Sequence, residues 1–267
     1  MNVFAFELRQ QARSIISGLV ILLGLYAILM VGFFPIYSDA QSEVETVMAG
    51  MSPEFAAFFG IKSVGQLFSY GGFFQFSYLY LALTGAIMGA AWGLSVFARE
   101  KQNHCTDFLL TKPQSRTGIF VSKLAVCLLS IAIVNVLFLA EVALLYTATG
   151  DASLDLANLM LASSAVAGIQ LLFCAVGAFL ALFMRRVRSV SGIATAVGIT
   201  GFVLAALPSI TGEESYRVIA PFLYFDINDA LANGTFEAEW IALALAITVV
   251  LFVAGYLRYR MQDMPAQ

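Results

Sequence analysis

Long runs of apolar residues alternate along this chain with short polar and charged stretches. A window of roughly 20 residues with few charges marks a helix able to cross a ~30 Å hydrocarbon layer. Six such windows occur, at about 15–36, 74–97, 124–147, 160–184, 189–209 and 240–257. They predict an all-α polytopic membrane protein with six transmembrane helices, and an even count puts both termini on one side. Ser14 to Phe34 follows Arg9 and Arg13 as a secretory signal would, but its apolar run exceeds a signal h-region and reads as a retained first span.

The basic residues orient these spans. Twelve of the fourteen gather on one side: Arg9, Arg13, Arg99, Lys101, Lys112, Arg116, Lys123, Arg185, Arg186, Arg188, Arg258 and Arg260. Only Lys62 and Arg217 fall opposite, among acids such as Asp39, Glu43, Asp151, Glu213 and Glu237. The positive-inside rule therefore places both termini in the cytoplasm, N-in/C-in, with the chain in the cell inner (plasma) membrane.

Between the spans the polarity pattern changes character. Asn2 to Ser14 sets Val3, Phe4, Phe6 and Leu8 among Glu7, Arg9, Gln10, Gln11 and Arg13, which predicts an amphipathic N-terminal helix along the interface; a frayed basic tail is the plainer reading. Two external segments, 53–76 and 211–240, keep many aromatic residues and are punctuated by glycine and proline. They predict short outer helices, interfacial or re-entrant, with Pro221, Phe222, Tyr224 and Phe225 in the headgroup zone. Asn233-Gly234-Thr235 matches a glycosylation sequon that is frequent by chance, and it receives no role.

Composition agrees with the pattern: 60% apolar residues against 12% charged is more than one soluble core of 267 residues hides, so the excess faces a lipid bilayer. No inter-span stretch is long or apolar enough for a second core, and residues 1–267 are expected to form one transmembrane domain. A net charge of −3 gives no reason to expect a nucleic-acid partner. Cys105, Cys127 and Cys174 make no disulfide framework; two lie in apolar windows, where they serve as small fillers.

Catalytic chemistry finds few usable groups. The one histidine, His104, adjoins Cys105 on a basic loop, and a lone pair without a second cluster reads as solvated loop ahead of a metal site. Gly60-Ile61-Lys62-Ser63 lacks the glycine-rich run of a phosphate-binding loop, so no nucleotide cofactor is expected in this chain. Within the spans the polar residues are few: Glu141, Asn135 and Gln170 are candidates for a transport path. The preferred reading is that Glu141 snorkels outward or bonds a neighbouring helix and that Asn135 and Gln170 are interhelical hydrogen-bond partners. Such sparse polarity disfavours an ion-coupled secondary transporter and suits an amphipathic or lipid-like cargo. Gly85, Gly89 and Gly93 recur every fourth residue of the second window, a small-residue ridge for helix packing either inside the subunit or in a dimer; Gly192, Ala196, Thr200 and Gly201 repeat the theme in the fifth.

The loop at 98–123 carries the most specific pattern. Thr106 is placed to cap a short helix from Asp107, with Phe108, Leu109 and Leu110 as an apolar contact surface and Lys112-Pro113 ending it. The run from Cys105 through Pro113 to Ser115-Arg116, followed by Lys123, resembles the first cytoplasmic loop of ABC type-2 transporter permeases. That loop commonly reads Gly-Thr-x-x-Phe-Leu-Leu-x-x-Pro-x-Ser-Arg with a lysine at the next span. Cys105 stands where glycine is usual. Pro221 to Phe225 is similar to the family's Pro-Phe-x-Tyr-Phe pattern before the last span.

The resemblance implies a transport subunit without its own nucleotide site, paired with a second permease copy or similar subunit and served by a cytoplasmic ABC ATPase that binds ATP and Mg²⁺. By the same resemblance Thr106, Asp107, Phe108, Leu109, Leu110, Pro113 and Arg116 form the coupling element that meets the ATPase. External loops without a docking domain for a binding protein make export the expected direction. The alternative of a different class is a noncatalytic membrane scaffold or assembly factor whose loop docks another cytoplasmic protein. Both readings share the same topology.

Overall fold

In a computed structural model of the chain, residues 3–43, 46, 50, 67–103, 115–149, 154–211 and 214–261 are described. No strand occurs among the described residues. Helix α1 (Val3–Ala27) continues through a π-helical segment, Ile28–Phe33, into α2 (Phe34–Asp39). Then come α3 (Tyr70–Asn103), α4 (Arg116–Thr149), α5 (Leu156–Phe183), α6 (Val190–Thr211), a short α7 (Ile227–Asn233) and α8 (Ala238–Met261). Six helices are long and apolar enough to cross a membrane: Val3–Ser38, Tyr70–Arg99, Arg116–Thr149, Leu156–Phe183, Val190–Pro208 and Ala238–Met261. Each coincides with one predicted window. Helices α3 and α4 each have 34 residues, or about 50 Å, longer than a ~30 Å hydrocarbon layer requires.

Local chemistry sets the helix starts. Ser69, Ser115 and Ser189 each turn a side-chain oxygen onto the amide of a glycine three residues on, at 3.2, 3.1 and 3.1 Å, and so satisfy an orphan N–H at the start of α3, α4 and α6. Asp155 and Asp226 do the same for α5 and α7, accepting from Ala157 and Asn228. Gly234, inside the sequon, adopts φ 66° and closes α7 with its N–H on the Ala230 carbonyl, a conformation that favours glycine.

Two expectations need correction. The N-terminal segment is not a separate interfacial helix: α1 runs unbroken into the first span. Its buried stripe of Val3, Glu7, Gln11, Ile15, Gly18, Leu22 and Tyr26 keeps one helical period throughout. Glu7 and Gln11 interrupt the hydrophobicity of that stripe without interrupting the helix. The segment before α8 does form short helices, two 3₁₀ turns (Glu214–Ile219 and Pro221–Tyr224) followed by α7. However, Phe222 and Tyr224 are buried in protein instead of facing headgroups. Phe222 meets Phe173 edge-on at 5.3 Å, and the Phe225 ring fills a notch above Gly168. Tyr224 stacks on Trp240 at 6.0 Å and donates its hydroxyl to the Val218 carbonyl; burial raises its phenol above the ordinary range. Arg217 lies over the Trp240 ring and pairs with Glu237 at 2.9 Å. Residues 51–66 of the other outer segment lie outside the described residues.

The six spans are not equivalent. Within their most apolar windows 72% of α3 and 61% of α5 is buried, against 17% in each of the first and last spans, which makes α3 and α5 the axis around which the others pack. Glycine brings these two backbones together. A Cβ on Gly89 would meet the Gln170 carbonyl oxygen at 2.3 Å, one on Gly93 the Cys174 oxygen at 2.1 Å, and one on Gly177 the Ala90 oxygen at 2.2 Å. Gly85 makes the looser contact, 3.1 Å from Val166. The obstacles at the first three are backbone atoms, which cannot rotate away. Lipid offers little hydrophobic gain for helix association, so close approach and dispersion carry this interface. Replacing Gly89 or Gly93 by valine is expected to cost at least about 2 kcal/mol and to lower the thermal midpoint of the detergent-extracted protein. Gly24→Ala, with nothing within 4 Å of the new methyl, is expected to leave that midpoint unchanged.

Candidate functional site

Three charged side chains from three spans meet at the arginine-rich end of the bundle. Glu7 of α1 accepts from Arg99, in the last turns of α3, through one oxygen. Through the other it accepts from Lys123 of α4 at 2.9 Å. Lys123 is fully buried and also donates to the Val96 carbonyl of α3 at 2.7 Å. Arg99 reaches Gln11 Oε1 at 3.3 Å. A lysine withdrawn from water is tolerable only because a carboxylate and a carbonyl replace its hydration. The cluster ties the helix that leads into residues 104–114 and the helix that leads out of them to one carboxylate on α1.

The start of α4 also reaches the last span. Arg116 Nη1 donates to the Arg260 carbonyl at 3.0 Å, and Thr117 shares a hydroxyl hydrogen bond with Tyr256 at 2.9 Å. Phe120 packs between Phe97, Tyr256 and Tyr259, with centroids 5.2, 5.2 and 5.9 Å away. Thus the described part of the loop motif has definite tasks: Ser115 caps α4, Arg116 closes the end of α8, and Lys123 seats on Glu7. Thr106, Asp107, Phe108, Leu109, Leu110 and Pro113 lie outside the described residues, as do His104 and Cys105.

Of the intramembrane candidates, the fold joins two and separates the third. Asn135 Nδ2 donates to Gln170 Oε1 at 2.6 Å and to the Ile131 carbonyl at 2.8 Å, bridging α4 and α5 beside the glycine notch. Both side chains are buried. Glu141 is six residues further along α4, which is about 9 Å along the axis and a third of a turn around it, so it faces a different neighbour. One of its oxygens, Oε2, is buried without a hydrogen-bond partner. Cys127 and Cys174 are buried and free. No group of three or more His, Cys, Asp or Glu placed to hold a metal ion occurs among the described residues.

Sequence reasoning missed Glu7 and Gln11 as site residues. The signal was available in their spacing, four residues apart on a stripe that Val3 and Ile15 continue. Lys123→Met should cost about 3 kcal/mol of stability, because it strips one partner from a buried carboxylate. Glu7→Gln should cost more, since it leaves two cations facing each other. In a double-mutant cycle followed by unfolding in detergent, the combined variant should lose less than the sum of the two; strict additivity would dissolve the cluster as an energetic unit.

No curated protein and no solved structure matches the chain. The family described as "Multidrug efflux system permease Rv1217c, C-terminal domain" matches residues 2–260, from the first turn of α1 to the last of α8. With six apolar spans, a buried ion cluster at both ends of the loop and a match over nearly its whole length, the chain belongs to this family of ABC type-2 permeases.

Proposed function

We propose that the chain is the membrane-spanning subunit of an ATP-driven exporter of amphipathic or hydrophobic compounds. It works as a single transmembrane domain paired with a second copy or a similar subunit. Both termini and the 98–123 loop face the cytoplasm, where a separate ATPase binds ATP and Mg²⁺; this chain binds neither. The observation that carries the reading is the Glu7–Arg99–Lys123 cluster. A segment that must pass force from a soluble motor into a membrane domain needs stiff attachments at both of its ends. Here both attachments converge on one buried carboxylate, and Arg116 adds the last span. Movement of the loop therefore reaches α1, α3, α4 and α8 together, as ATP-driven closure of a motor dimer requires. The efflux named in the family description supports the outward direction.

The test is a pull-down of the membrane-extracted protein from its own cells, comparing wild type with Phe108→Ala/Leu109→Ala. An ATPase is expected to copurify with wild type, and the double substitution to release it or to uncouple its hydrolysis. Intact wild type extracted without any ATPase would refute the reading and leave a docking scaffold as the better account.

A further inference from the structure

The carboxylate of Glu141 takes no part in the helix contacts described so far, and its surroundings specify a ligand. Its neighbours one turn away on α4 fall into two classes. Leu137 and Leu144, at i−4 and i+3, are 45% and 65% exposed, whereas Phe138 at i−3 is fully buried and Leu145 at i+4 packs on the core. Glu141 thus stands on the seam between the face of α4 that looks outward and the face that packs on α1. On the buried side the Phe138 ring meets Tyr26 edge-on at 5.4 Å, and the Tyr26 hydroxyl is bonded to Tyr70 at 2.9 Å. The same aromatic group continues through Tyr70 to Tyr146, centroids 5.0 Å apart.

An acid in this place is in deficit, because Oε2 is buried and has no partner. Among the described residues no cation supplies one: the lysines and arginines of the six spans sit in the turns at the arginine-rich end, and Arg217 pairs with Glu237. Glu141 lies eight residues, about 12 Å, in from Thr149 at the far end of α4. We infer that Glu141, with the Phe138–Tyr26 aromatic wall behind it and the Leu137–Leu144 strip in front, is the recognition site for a lipophilic organic cation arriving from the bilayer. The carboxylate offers the counter-charge, the rings offer polarisable surface, and the exposed leucines offer an apolar approach. The inference rests on the export reading and names the substrate class for it.

The experiment measures binding without ATP, so it is scored whether or not an ATPase accompanies the chain. The full-length protein, in phosphatidylcholine nanodiscs with empty discs subtracted, is titrated with tetraphenylphosphonium and with the isosteric anion tetraphenylborate. Saturable binding of the cation alone is expected in wild type. Glu141→Gln should weaken it at least about tenfold, and Glu141→Asp should stay within about threefold of wild type. Equal affinity in Glu141→Gln, no saturable cation binding in wild type, or equal binding of the anion would overturn the assignment. Phosphatidylethanolamine discs should leave the affinity unchanged; competition by that lipid would make its headgroup amine the occupant and also overturn it. A measurement needing no variant guards against misfolding: tetraphenylphosphonium should protect Glu141 of wild type from dicyclohexylcarbodiimide, read by mass spectrometry, and unprotected labelling would count against the site.

Discussion

Everything in this bundle is arranged around the contact of two backbones, α3 against α5, at distances that leave no room for a Cβ on Gly89, Gly93 or Gly177. In a bilayer, burying an apolar side chain against another gains little over burying it in lipid. A pair of long helices therefore holds together only where main chains approach closely enough for dispersion to add up over many atoms. The contact also fixes what lies beside it. Gln170, whose carbonyl covers Gly89, is held in place to take the Asn135 amide, so a buried polar bridge between α4 and α5 is positioned by the notch.

Around that axis the described cations, Arg217 apart, gather at one end. Lys123 and Arg99 share Glu7, Arg116 closes the last turn of α8, and Arg258 lies over the Phe183 ring at 5.8 Å. The arginine-rich end is thus a polar clamp made of side chains from at least four spans, while the membrane core is held by packing with a few hydrogen bonds. The two regimes differ in what disturbs them: substitution of charge acts on the first, whose buried ions salt screens little, and volume on the second.

Much of this could be read from the sequence. The number and order of the spans follow from apolar windows alone, and the Gly85-Gly89-Gly93 spacing announced a close-packed face, although spacing could not say which helix lay opposite. Ser115, Arg116 and Lys123 were visible only as parts of a pattern; Ser115 caps its own helix, but the tasks of Arg116 and Lys123 needed partners more than 100 residues away in the chain, Arg260 and Glu7. Glu7 and Gln11 escaped because hydropathy treats a buried ion pair as surface. Asn135, Gln170 and Glu141 looked like one group, whereas helical geometry turns the first two toward each other across α4 and α5 and the third toward the α1 side. The seats of Phe222 and Phe225 depended on notches at Gly201 and Gly168, which sequence proximity does not disclose.

The π segment of the first span has a mechanical meaning. Pro35 has no N–H to return to the helix, and the turn before it widens, with the Phe34 N–H on the Leu29 carbonyl. Eight residues of regular α-helix would carry a side chain about 80° past two full turns. Yet Tyr26 and Phe34, eight apart, both address Tyr70, one by a hydroxyl hydrogen bond and the other by a ring contact at 5.7 Å. The widened turn absorbs the difference. The first span is consequently regular from Glu7 to Tyr26 and one widened turn out of phase beyond it: a plain α-helix over Ile28–Phe33 would swing Phe34 off Tyr70 and give up its ring contact with α3.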